Sequence, residues 1–163
     1  PRPVAAQPPA FPALSDDYYA VLFAWDPTAA TYAGVHDFDT KLADLSADRI
    51  ARRVAELKRF QTRLAEVRGG KLPEADLLDM ETIGEWKRNP VPYLGKPAEG
   101  IDLLMKRSFA PPADRLRAVI GRLKAAPALV AAMKANVKNP PKEFADLGLI
   151  VAKGSVGFFK SDL

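Results

Sequence analysis

An all-α fold is predicted by two features of this 163-residue sequence. Apolar residues recur at steps of three and four, and no stretch shows the strict alternation of a half-buried strand. The 15 prolines agree with this, because several fall where a helix should begin and a missing N–H costs nothing: Pro27, Pro73, Pro112, Pro127 and Pro141. The expectation is an irregular helical bundle of about six to eight helices with Pro-punctuated connections.

Residues 1–14, PRPVAAQPPAFPAL, read as an extended Pro/Ala-rich leader, and residues 15–163 as a single helical domain. Ser15 is placed to cap a first helix, SDDYYAVLFAW, with Asp16 and Asp17 in the first turn, where the helix dipole favours negative charge. A short helical turn runs from Pro27 to Ala33, and Gly34 ends it. The polar loop GVHDFDTKLADLS then leads to Ser46, the expected N-cap of the longest helix, about residues 47–68. In that helix Ile50, Val54, Leu57, Phe60, Leu64 and Val67 form a seam for a neighbouring helix. Asp48 with Arg52 and Glu56 with Arg59 are spaced to pair on its other face.

Gly69-Gly70 should stop this helix, and another is expected from Pro73, with Leu77, Leu78, Ile83 and Trp86 on one side. The prolines and glycine of RNPVPYLGKP, residues 88–97, predict an irregular segment. A shorter helix around 99–107 should present Ile101, Leu104 and Met105. Pro127 should divide the stretch after Pro112 into one helix with Leu116, Val119, Ile120 and Leu123 and another with Leu129, Val130 and Met133. The last helix should start near Pro141 and run towards residue 163, with Phe158 and Phe159 near its end.

Composition narrows the classes of function. The 24 basic and 20 acidic residues give a net charge of +4, interleaved along helices rather than gathered in a block, which reads as a solvated face and not a nucleic-acid surface. There is no cysteine, so disulfides and thiolate metal sites are excluded. No apolar run reaches the roughly 18 residues needed to cross a bilayer. The opening at Pro1 in a Pro/Ala-rich stretch fits a processed precursor, which points to export to the periplasm or cell envelope, with the cytoplasm as the alternative.

Few residues are candidates for chemistry. His36, the single histidine, stands near Asp37, Asp39 and Asp44, a set able to bind a cation or do acid–base work. A catalytic zinc site usually needs several protein ligands, so the plainer reading is a loop whose aspartates bond nearby backbone N–H groups. The paired carboxylates Asp16/Asp17 and Glu74/Asp76 sit in helix first turns and are explained by capping. Trp86, Lys87, Arg88 and Asn89 could hold an anion, against the simpler reading of a core tryptophan at a polar helix end. No catalytic, cofactor-binding or metal residue is assigned within this chain.

Three stretches, taken in order, carry a family resemblance: GVHDFDTKLADLS at 34–46, EWKRNPVPY at 85–93 and FAPPADRLRAVIGRL at 109–123. They resemble the N-terminal part of the bacterial domain of unknown function 885 family, with NPPKEF and its long helix adding to the match. His36, Asp39 and Asp44 match the first motif, and Trp86, Arg88, Asn89 and Tyr93 the second; no role is carried over to them. The resemblance implies a zinc metallopeptidase-like protein of the gluzincin type, several hundred residues long, whose metal motif H-E-x-x-H lies beyond these residues. On that reading the chain is the N-terminal helical segment of a zinc-dependent peptidase-like hydrolase, inactive alone, with zinc held elsewhere and the C-terminal remainder of its own polypeptide as partner. The alternative is a stand-alone helical module of the cell envelope that binds a protein or ligand. The two differ at Phe158 and Phe159: a cut fragment should leave an apolar patch there, open to self-association, and a complete module should bury the rings.

Overall fold

The computed structural model describes residues 11–67 and 86–163. Among them are six α-helices and no strand: α1 (Phe11–Trp25), α2 (Pro27–Tyr32), α3 (Ala47–Val67), α4 (Val91–Lys106), α5 (Pro112–Asn136) and α6 (Lys142–Ser161). The fold is an all-α bundle, as the sequence predicts. The Gly69-Gly70 stop and the helix expected from Pro73, including Glu74, Asp76, Leu77, Leu78 and Ile83, lie outside the described residues.

Helix α4 is the axis of the bundle: α5, α6 and α2 all pack on it, α1 packs on α2, and α3 lies along α1. The last contact uses the predicted seam, where Phe60 meets Tyr18 edge-on with ring centroids 5.5 Å apart. Two apolar clusters fill the interior. One joins Trp25, Leu45, Ile50, Tyr93 and Leu129, and the other joins Ile101, Leu104, Ala118 and Val119. Ser46 caps α3 as expected, its Oγ accepting from Arg49 N at 3.4 Å.

Five local expectations are corrected. Helix α1 begins at Phe11, so residues 11–14 are not extended leader and Ser15 is not a cap; Leu14 is already buried. A proline at position 12 is compatible because first-turn N–H groups have no intrahelical partner. The segment 88–97 is not irregular throughout: α4 starts at Val91, with Pro92 in its first turn and Pro97 inside it. Pro97 removes the hydrogen bond to the Tyr93 carbonyl, a local cost of about 3 kcal/mol. Burial of Tyr93, Pro97, Ile101, Leu103 and Leu104 around the break offsets it.

Likewise Pro127 does not split α5, which runs unbroken to Asn136 because Arg122 and Leu129 anchor it on either side of the proline. On α3, Glu56 pairs with Arg49 at 3.0 Å and faces Arg53 at 3.8 Å, in place of the expected Arg59. The reason is that Arg53 is buried beneath Trp25 and Tyr18 and brings its charge to the inner side of the helix. Met105, Leu116 and Ile120, grouped with core residues by spacing, are exposed.

Candidate functional site

The loop between α2 and α3 is built from the Asp26 cap onward. Asp26 Oδ1 accepts from Thr28 N and Ala29 N, and its Oδ2 accepts from Lys96 Nζ at 2.7 Å, which fixes the start of α2 against α4. Gly34 closes α2 at φ +84°, a left-handed conformation that suits glycine. The chain then turns so that His36 and Asp39 face each other, with His36 Nδ1 2.9 Å from Asp39 Oδ2.

Behind this pair stands a residue that the spacing does not single out. Arg122 of α5 is 0% exposed, and Asp39 is 7% exposed. The guanidinium donates from Nε to Lys41 O at 3.1 Å, from Nη1 to Gly100 O at 2.5 Å, and from Nη2 to Pro27 O at 3.3 Å and Thr31 Oγ1 at 2.7 Å. The Thr31 hydroxyl in turn donates to Asp39 Oδ1 at 2.6 Å, and that carboxylate oxygen lies 3.9 Å from Arg122 Nη2. Burial pushes the Arg122 pKa down, while the charges of Asp39 and Asp26 push it back up. The guanidinium stays charged. A signal is present in the sequence, since Arg122 interrupts the apolar row of Val119 and Leu129.

The His36 ring lies flat on Phe109, with centroids 3.8 Å apart and planes within 5°. Arg107, two residues earlier, donates to Tyr32 O at 3.0 Å and so holds the start of this segment against α2. The first and third family stretches therefore meet here as well as at Arg122.

The remaining motif residues form a separate group. Asp44 Oδ1 accepts from Ser46 N at 2.9 Å, a local turn. Asn89 Oδ1 accepts from Val91 N at 3.0 Å at the start of α4, and Arg88 is exposed. Trp86 packs on the first cluster, 5.5 Å from the Trp25 ring, as a core tryptophan does. Tyr93 is fully buried; its hydroxyl donates to Trp86 O at 2.9 Å and accepts from Asn136 Nδ2 at 3.2 Å. Asn136 also donates to Leu45 O at 2.7 Å, tying the second motif to the end of the loop. Burial raises the Tyr93 pKa, and the bond from Asn136 partly lowers it. No hydrogen bond or ion pair among the described residues joins the two groups.

A groove of about 320 Å3 between α4 and α6 is lined by Gly95, Glu99, Asp102, Val151, Ser155 and Phe158, and by none of the motif residues. Among the described residues no group of three His, Cys, Asp or Glu side chains is placed to hold a metal ion.

The sequence profile of the bacterial proteins of unknown function designated DUF885 matches residues 27–162. This chain belongs to that family. The DUF885 match takes in all three stretches and every helix from α2 to α6. A solved structure described as a candidate lipoprotein of unknown function from Shewanella oneidensis is similar to the chain over 97% of its length, with a TM-score of 0.74 and 26% sequence identity. The chain spans 31% of that protein. No curated protein matches. No described helix is long and apolar enough to cross a membrane.

Proposed function

We propose that this DUF885 chain is a helical scaffold segment of a larger zinc-dependent, peptidase-like hydrolase. The remainder of the polypeptide, on this reading, contributes the metal and the general base, and it seats on the outward faces of α5 and α6. The observation that carries the reading is the outer surface of these two helices. Leu116 and Ile120 on α5, and Leu149, Ile150 and Val156 on α6, are exposed although both helices are packed against α4. A helix that is apolar on its outer face as well as its inner one is normally covered. The similar structure, of which this chain spans 31%, supplies the length of chain that such a cover needs.

The patch is not where the sequence places it. Phe158 and Phe159 are half-buried against the second cluster, and the exposed apolar residues lie one helical face away. Half-burial of those rings favours the second reading, a self-contained envelope module, and the candidate-lipoprotein description of the similar structure supports an envelope location on either reading. The gene beyond the Leu163 codon decides between them. The scaffold reading expects an in-frame H-E-x-x-H, zinc in the purified long protein and peptide hydrolysis that a chelator abolishes. A long protein without zinc or hydrolysis overturns it.

A further inference from the structure

We infer that His36 and Asp39 form a working imidazole–carboxylate pair. In it Asp39 holds the ring proton on Nδ1, and Nε2 offers its lone pair to an O–H donor, a water or hydroxyl, arriving at the protein surface. The inference is independent of the zinc-hydrolase reading and assigns a proton-accepting site to a loop with no assigned role.

Three observations carry it. First, Asp39 does not need His36 for charge balance, since it already accepts from Thr31 at 2.6 Å and faces the buried Arg122. A carboxylate so restrained is a fixed acceptor, and Nδ1 at 2.9 Å is its remaining partner. Second, the ring is held twice, through Nδ1 and through the face stacked on Phe109, so its plane and tautomer are set before any ligand arrives. Third, the His36 side chain is 34% exposed, and among the described residues Nε2 has no hydrogen-bond partner and is not a buried, unsatisfied atom. The ring is anchored at one nitrogen and open at the other, the arrangement in which a carboxylate orients an imidazole for proton transfer.

In the step assigned, the lone pair on Nε2 takes the proton of the bound O–H, leaving an oxyanion and an imidazolium. The Asp39 carboxylate stabilises the imidazolium without itself becoming protonated, and the proton returns from Nε2 to the same oxygen when the transfer reverses. Asp39 is a positioning residue in this step, as is Phe109.

The single histidine makes the test clean, because every imidazole signal reports one residue. Long-range 1H–15N correlation of this 163-residue chain, at a pH where the ring is neutral, should show the proton on Nδ1 as the dominant tautomer. The ring of a free histidine favours Nε2–H, so that tautomer in the protein overturns the inference without any variant. Diethyl pyrocarbonate should carbethoxylate His36 severalfold faster in the native chain than in Asp39→Asn, with His36→Gln giving no signal. Equal rates in the first two, with both folded by circular dichroism, overturn the positioning role. Should Asp39→Asn not fold, Phe109→Leu replaces it, and an unchanged rate and tautomer there remove the claim that stacking presets the ring.

Discussion

Helices α4 and α6 lie side by side, and they are stable for opposite reasons. Helix α4 contains Pro92, Gly95, Pro97 and Gly100, a poor sequence for a helix, yet it is the axis of the bundle and buries seven residues. Helix α6 has no internal proline and a clean apolar face, yet only Gly148 in it is buried and Leu149, Ile150 and Val156 face outward. Weak local propensity is tolerated in α4 because tertiary contacts are dense, whereas α6, with three glycines of its own and few buried residues, keeps its backbone bonds free of proline. The glycines show the same division. A Cβ on Gly100 would meet Arg122 Nη1 at 2.8 Å and Thr28 Oγ1 at 3.1 Å, whereas Gly154 and Gly157 have nothing within 4 Å.

The contrast between the two helices breaks most visibly at Arg122, whose side chain holds α5 to the Gly100 carbonyl of α4. Arg122→Met should destabilise the domain by about 3–5 kcal/mol, because it leaves three carbonyls and the Thr31–Asp39 pair without the buried cation. Urea denaturation should show a lower midpoint at an unchanged m-value. Next in size is Gly100→Ala, where the added methyl must displace the guanidinium; about 1–3 kcal/mol of stability should be lost in the same measurement.

Tyr93→Phe removes one hydroxyl and leaves Trp86 O without its donor, at a cost of about 1 kcal/mol near neutral pH. It should also change the response to alkali. The folded pKa of Tyr93 is raised above the unfolded value of 10.0. Its contribution is therefore whole below about pH 10 and declines as pH climbs towards and through the folded pKa. The native protein should lose stability in that range, and Tyr93→Phe should lose less. The smallest effect, and of opposite sign, is expected at Gly157→Ala on α6: an open site in a helix interior should gain about 0.5–1 kcal/mol. A loss there would mean that the outer face of α6 is already covered, for instance by a second copy.

The helical class is legible in the sequence because the 3.6-residue period is clear in α3, α4 and α6, and the Ser46 cap is legible because its chemistry is local. Proline misleads when taken only as a helix boundary. Pro27, Pro112 and Pro141 do mark helix starts or caps, but Pro97 and Pro127 sit inside helices, because packing on both sides outweighs one lost hydrogen bond. Local sequence cannot show that balance. Within the candidate site, His36 and Asp39 are both legible as polar loop residues, and their pairing is a turn of three residues. The buried cation behind them is legible only as a break in the apolar row of Val119 and Leu129, which does not reveal its burial, because a lone arginine in an amphipathic helix ordinarily reaches water. Its partners lie up to 95 positions away along the chain. Arg53, buried on α3 against Trp25 and Tyr18, escapes sequence reasoning for the same reason.

The single guanidinium of Arg122 also joins parts of the chain that lie far apart in sequence. Its acceptors at Pro27, Thr31, Lys41 and Gly100 come from three separate stretches of chain, and none of them is near α5 in sequence. Closing such long loops around one charge is slow, because chain entropy is lost before any contact rewards it. Helix α2, only six residues long and unable to persist alone, depends on its packing against α4 and α1 and on the guanidinium that reaches it from α5. The loop bearing His36 starts where this short helix ends, so the placement of the imidazole rests on the same distant contacts.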